Sequence, residues 1–464
     1  MYTQTRELTS FFSVMPQIQQ NTAAATATIR SLPGEILSEI FMHAVGCPKV
    51  FDVKCFPWTL GHVSSSWRSI TLSTPQLWRY IHIRRTCLGP YARPVWMEIL
   101  QEWIKRSGEC LLSVVIEDDY GGDFPREAIE LITAHSRRWV TASIEAYLAH
   151  RGDLEVIRGN IPALQEIQIH MDEMMEENFK RHTTITNCFQ IAPRLRVVYT
   201  NYALYHFLPM PTDNLVDLAT NIRSNLEIYE LLRPCADRLV RVNLHNRTPF
   251  AWTNEMPPAN APRLLLSAIE SIQLQTDGKV LDMLTVPQLK SLSIDAFIRV
   301  PETGLFPVSI GPSINSLISR SKCPLISLSI GSSKMSSAEL ISALAALPLL
   351  ESLSLSDPHG LDSTFFIPIT YAPGTTLLLP RLESFRFGWG QLENHVNFSP
   401  DLTLNFLESR LHPDNTDNQI QPLRKAHLIL PRKSIPMSSP QNTRFEALTA
   451  DYKVTIIWSP CRYQ

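Results

Sequence analysis

Residues 323–356 read CPLISLSIGSSKMSSAELISALAALPLLESLSLS. Within them a proline, Pro324 or Pro348, is followed by a Leu-x-x-Leu-x-Leu phrase, first at Leu325/Leu328/Ile330 and again at Leu350/Leu353/Leu355. In an extended chain alternate side chains share a face, so the fourth and sixth places of each phrase point inward, while the third, fifth and seventh point outward. One such strand cannot hide its own leucines. It has to stack on a copy of itself.

Further copies lie on both sides. The phrase recurs at Leu111/Val114/Ile116, Leu164/Ile167/Ile169, Leu239/Val242/Leu244, Ile269/Ile272/Leu274, Leu289/Leu292/Ile294 and Leu382/Phe385/Phe387. Weaker copies surround Trp139/Ala142/Ile144, Leu195/Val198, Leu215/Leu218 and Leu423/Ala426/Leu428, giving about a dozen units at irregular intervals of roughly 20 to 40 residues. Prolines upstream, among them Pro162, Pro193, Pro287 and Pro380, end the preceding helix or loop, which explains 34 prolines against 17 glycines. A helix over Pro94 to Arg106, stopped by Gly108, precedes the first copy. The expected class is mixed α/β, with one strand per unit pairing in parallel with the next and helices or irregular segments outside, as a curved solenoid. A doubly wound α/β sheet also alternates helix with parallel strand, although it does not require the same hexad in every strand.

Outward positions then include Glu166, Gln168 and His170; Arg241, Asn243 and His245; Ser271, Gln273 and Gln275; Ser291, Ser293 and Asp295; and Ser352, Ser354 and Ser356. Ser384 and Arg386 follow, with Trp389 just beyond. A serine-rich ladder is the ordinary solvated face of such a sheet. Where the row gains Arg241, His245, Arg386 and Trp389, its hydrogen-bonding and stacking capacity makes these four the candidate contacts for a protein target.

Ahead of the repeats the chain reads SLPGEILSEIFMHAV over 31–45 and PWTLGHVSSSWRSITLSTPQLW over 57–78. Pro33 suits a helix start and Glu35 the positive end of the helix dipole. Ile36, Leu37, Ile40, Phe41 and Ala44 recur at helical spacing; Leu60, Val63, Trp67 and Ile70 form a second stripe, and Pro75, Leu77 and Trp78 punctuate a third short element. Three helices in under about fifty residues bury little surface by themselves. Their leftover apolar side chains must pack on the rest of the chain or receive another protein.

The order Leu32, Pro33, Glu35, Ile36, Leu37, Ile40, Phe41, Trp58, Leu60, Val63, Trp67, Arg68, Thr74, Pro75, Leu77 and Trp78 resembles the F-box, in the F-box-like form common in mushroom-forming fungi. Gly34 stands where that family often has a second proline, and Ser64 where it often has cysteine. The hexads resemble a degenerate leucine-rich repeat that lacks the regular Asn or Cys of the consensus unit. Together the two resemblances imply a target-recognition subunit of a Skp-cullin-F-box ubiquitin ligase. Residues 30–80 would be a three-helix head that binds the Skp-type adaptor, and through it cullin. Residues 81–109 would connect or cap, 110–464 would form the repeat body, and 1–29, being polar, would be unstructured. The residues expected to meet the adaptor are Leu32, Pro33, Ile36, Leu37, Ile40, Leu60, Val63, Leu77 and Trp78, with Trp67 holding the head together. The rival readings are a ligase-independent scaffold and an enzyme hidden in the α/β body.

Composition narrows the classes. Of 464 residues, 44% are hydrophobic and 19% charged, which is too apolar for a largely disordered chain. A net charge of −2 favours neither nucleic acid nor an anionic membrane as partner. Eight cysteines lie scattered with no Cys-x-x-Cys, so neither a zinc finger nor a dense disulfide framework is expected, and reduced thiols in cytoplasm or nucleus fit best. There is no secretory leader pattern and no apolar run long enough to span a bilayer. Nor is there a phosphate-binding Gly-rich loop, His-Glu-x-x-His or Gly-x-Ser-x-Gly, so no catalytic, metal-ligating or cofactor-binding residue is expected. The acidic stretches 117–119 and 172–177 read as solvated charges.

Overall fold

The computed structural model describes residues 32–44, 56–84, 93–117, 126–145, 154–170, 187–200, 210–245, 255–300, 304–372, 377–388, 399–411, 421–431, 438–450 and 454–459, together with positions 29 and 253. Trp389, positions 1–28 and the acidic stretch 172–177 lie outside them.

One open sheet of fourteen strands organises the chain. In sequence these are β1 (Tyr80–Arg84), β2 (Leu112–Glu117), β3 (Trp139–Glu145), β4 (Glu166–His170), β5 (Val197–Thr200), β6 (Asp217–Asn221) and β7 (Arg241–His245). They continue as β8 (Ser271–Gln275), β9 (Ser291–Asp295), β10 (Ser327–Gly331), β11 (Ser352–Ser356), β12 (Ser384–Gly388), β13 (Lys425–Pro431) and β14 (Val454–Ser459). Each strand pairs in parallel with the next, so spatial order follows chain order from β1 to β14. The order does not reverse midway, as it does in a doubly wound sheet. The helices are α1 (Gly34–Ala44), α2 (Ser65–Ser73), α3 (Arg93–Arg106), α4 (Arg126–Thr133), α5 (Asn225–Leu232), α6 (Gly311–Ser321), α7 (Ser337–Ala345), α8 (Pro400–Leu411) and α9 (Ser439–Ala450). None of the described helices is long and apolar enough to cross a membrane.

Register explains the core. Ile272, Leu292, Leu328, Leu353 and Phe385 face one another across successive strands, and so do Leu274, Ile294, Ile330, Leu355 and Phe387. All ten are 1% exposed or less, a continuous apolar seam that no single strand could bury. The leading leucine of each phrase, such as Leu289, Leu325, Leu350 or Leu382, is buried in the turn before its strand. Sheltered and half-exposed positions alternate regularly in Ser291–Asp295, whereas in Asp217–Asn221 the outward Asp217 and Asn221 are buried as well.

One leading position departs from the pattern. Leu111 is 47% exposed and Leu112 is fully buried, while Val114 and Ile116 face inward as expected. Pairing shifts between Leu112 and Ser113, which face Trp139 and Thr141, so β3 carries one extra residue at that step. Two strands go beyond the dozen phrases. β1 emerges directly from the helical head, so the stretch read as a connecting segment in fact carries most of β1 and all of α3. β14 closes the other end of the sheet.

Arginines tie successive units together. Arg138 Nε donates to the Cys110 carbonyl at 2.9 Å, Arg320 Nη2 to Leu281 and Leu284 at 2.8 and 2.7 Å, and Arg410 Nη2 to Leu379 at 2.7 Å. Each guanidinium reaches the carbonyls of the turn one unit upstream, which strand pairing leaves unsatisfied. Arg410, on α8, is fully buried without a carboxylate partner among the described residues, and burial pushes its pKa down to about 10. Arg410→Ala removes one of the two donors to the Leu379 carbonyl, the other being the Leu382 amide, and leaves a void, so a loss of about 3 kcal/mol is expected. A lowered urea midpoint measures it; an unchanged midpoint contradicts the role.

Candidate functional site

The helical head is built on two-sided helices. α1 starts where the Pro33 carbonyl accepts from the amides of Ile36 and Leu37, both at 3.1 Å. Leu37 and Phe41 point inward, and Phe41 packs on Trp67 with ring centroids 4.7 Å apart. Ile36 and Ile40, one turn apart, lie on the outer face, 49% and 41% exposed. Ser64 caps α2 by accepting from the Trp67 amide at 3.1 Å, a better acceptor there than a cysteine thiol. Beside it Val63 is 60% exposed, and Leu72, at the far end of α2, is 44% exposed. Thr74 and Pro75 then begin a short 3-10 turn, Pro75–Trp78, that leads into β1.

Of the nine residues expected to meet an adaptor, Pro33, Ile36, Ile40 and Val63 are exposed and Leu32 is half-buried. Leu37, Leu60, Leu77 and Trp78 are 1–4% exposed, which corrects that expectation: these four form the head's own core and its seam with the body. Helical spacing brought both sets forward together, because α1 is apolar on two sides and periodicity alone does not say which one faces inward.

Head and body are joined by stacked tryptophans. Trp78 contacts Trp58 at 5.2 Å and Trp103 of α3 at 5.0 Å, both edge-on, and its indole N–H donates to the Thr71 carbonyl at 2.9 Å. Arg106 lies 4.6 Å over Trp78 and 5.2 Å over Trp58, and its Nε donates to Glu102 at 3.0 Å. Gly108, left-handed at φ 51°, ends α3 against Pro75 of the head.

The outward face of the sheet carries three zones. At the first four strands, His82 approaches Glu117 at 3.1 Å, Arg84 approaches the same carboxylate at 3.7 Å, and His170 contacts Ser143 at 3.2 Å. Burial pulls the His170 pKa down, with Glu117 opposing it. Over β5 to β7, Asp217 accepts from Arg241 at 2.6 Å and from the Tyr199 hydroxyl at 2.9 Å. Burial, and then that bond, push the Tyr199 pKa up to about 12. From β8 to β11 the face is almost uncharged, and beyond it lie Arg386, Lys425 and His427.

The three expected target contacts among the described residues, Arg241, His245 and Arg386, therefore do not form one site. Arg241, though exposed, is held by Asp217, and half-buried His245 sits at the other end of the same strand, in register with Asn221. Arg386 is five strands away, roughly 24 Å at the usual inter-strand spacing. Lys425 and His427, which stand beside Arg386, were not singled out from the sequence. Their signal was present, since they occupy the third and fifth places of the weak Leu423/Ala426/Leu428 phrase.

Among the described residues no group of three or more His, Cys, Asp or Glu side chains could hold a metal ion. Cys235 is a buried thiol, and burial pushes its pKa up to about 11, away from nucleophilic use. No protein-family model matches the chain, and no curated protein matches it.

Proposed function

We propose that the chain is a target-recognition adaptor of a Skp-cullin-F-box ubiquitin ligase. Its F-box-like head would bind the Skp-type adaptor, and its leucine-rich-repeat-like solenoid would hold a protein target. The observation that carries the reading is α1. A helix inside the best match to an F-box pattern keeps Ile36 and Ile40 in water although Leu37 and Phe41 already supply its core contacts. An apolar face left over after a small unit has packed on its own chain is what a docking helix requires. The parallel strands in chain order support the solenoid half of the proposal.

The task would be positional. One end is anchored to the adaptor and cullin and the other to a target, which raises the local concentration of the target's lysines near the ubiquitin-charged enzyme. No catalytic residue of the chain is needed. The test is affinity purification with mass spectrometry from cells of the source, comparing the intact chain with Ile36→Glu/Ile40→Glu. A deletion of 31–78 would be the wrong comparison, because Trp58 and Trp78 complete the core around Trp103. Loss of adaptor and cullin peptides with other partners retained supports the proposal; equal recovery from both baits overturns it.

A further inference from the structure

We propose that the sheet face from β8 to β13 is a docking surface for an extended acidic peptide, whose carboxylates lie against Arg386 and Lys425. The inference rests on the target-binding half of the proposed function and names the chemistry of the target. It does not involve the head.

The floor comes first. Ser291, Ser327, Ser352 and Ser384 stand in register across β9 to β12, and Ser293, Ser329 and Ser354 form a second row two residues further along. Parallel strands lie about 4.8 Å apart, so the floor is a lattice of short hydroxyl side chains above buried leucines. Such side chains leave the sheet low enough for a partner's main chain to approach, and each hydroxyl can donate to a carbonyl or accept from an amide.

Charge supplies the direction. Arg386 of β12 is exposed and faces Ser354 on one side and His427 on the other; Lys425 of β13 is exposed and faces Ser384. Neither cation has a carboxylate partner among the described residues. Arg424, one place earlier on the chain, already holds Glu383 at 3.3 Å. Half-buried His427 lies between them, and burial, then Arg386, then Lys425 hold its pKa below the ordinary value. Its Nε2 is buried with no hydrogen-bond partner.

On the outward rows of β8 to β13 the single carboxylate is Asp295, on β9 and three strands from Arg386. Asp357, just past β11, lies 3.8 Å from His359. An acidic ligand therefore meets attraction at one end and little repulsion along the rest. The span from β8 to β13 is about 24 Å, the length of about seven extended residues. A near-neutral chain whose cations on this face, among the described residues, are Arg386 and Lys425 is poorly suited to a long polyanion, whose affinity needs many phosphate contacts.

The test is fluorescence anisotropy with the full chain and labelled heptapeptides, one of alternating glutamate and alanine and one of alternating glutamine and alanine, with a single-stranded DNA heptamer as third probe. The glutamate peptide is expected to bind about tenfold more tightly than the glutamine peptide, with the advantage falling as salt rises. In Arg386→Glu/Lys425→Glu the advantage disappears, while Arg158→Glu on another part of the surface leaves it intact. Equal binding of the two peptides, retention in the double variant, or binding of the DNA alone overturns the inference. Adaptor capture, measured on the same double variant, stays unchanged if only the peptide site is lost. Failure of the peptide assay is thereby separated from failure of the adaptor proposal.

Discussion

Ile36→Glu/Ile40→Glu is expected to lower capture of a Skp-type adaptor by at least about a hundredfold without unfolding the head. The two side chains are half in water, so their replacement removes no core contact from the chain itself. In the complex the account buries both. Burial of the exposed half of each isoleucine contributes about 0.7–1.5 kcal/mol, and burying an unpaired carboxylate in its place adds at least about 1 kcal/mol more. Two such losses exceed 3 kcal/mol, beyond a factor of about 100 in affinity. Leu37→Ala is the instructive contrast. Leu37 is 3% exposed, so that variant should weaken the adaptor only by loosening the head, and circular dichroism and thermal midpoint should fall along with binding. Capture retained by the double glutamate variant would remove α1 from the interface.

Trp103→Ala is expected to produce the largest loss of stability in the N-terminal third of the chain, about 3–5 kcal/mol. Trp103 is fully buried and stacks edge-on with Trp78 at 5.0 Å and Trp58 at 5.7 Å, both from the head. Its removal opens a cavity at the seam and frees Arg106, which now lies over two of the three rings. Hydrogen exchange should then quicken across 58–84 and 93–106 while β9 to β12 keep their protection. A change of less than about 1 kcal/mol, or loosening spread evenly over the sheet, would mean that the seam is not what fixes the head to the body. For a positional adaptor this joint matters as much as either surface, because a loose joint lowers effective concentration.

Most of the sheet was legible in the sequence. All twelve phrases became strands, because inward leucines at a period of two can be buried only by in-register stacking, and prolines such as Pro162, Pro193, Pro287, Pro324, Pro348 and Pro380 mark where several of them begin. β1 escaped because its alternation is short, with only Ile81 and Ile83 pointing inward, and it follows the helical head without a leading leucine; β14 escaped because Val454–Ser459 has no leading leucine. The exposure of Leu111 escaped because two consecutive leucines precede the inward Val114 and Ile116, and spacing alone does not say which of them is buried. In the head, the helices were legible but their inner and outer faces were not. Leu60, Leu77 and Trp78 turn inward because α3, over forty residues from Leu60 in sequence, supplies Trp103 and Arg106 to cover the seam, a tertiary fact that local spacing does not carry. On the outward face the residue types were foreseen and their grouping was not. Arg241 finds Asp217 on the adjacent strand, whereas Arg386 stands between Ser354 and His427 with no carboxylate partner among the described residues.

Calorimetric titration of purified chain with purified Skp-type adaptor tests the central claim most directly. Saturation at one adaptor per chain, with a dissociation constant of about 1 μM or lower and a negative heat-capacity change from apolar burial, is the predicted result. No saturable heat with adaptor at tens of times that concentration, or identical isotherms for the intact chain and Ile36→Glu/Ile40→Glu, would contradict it.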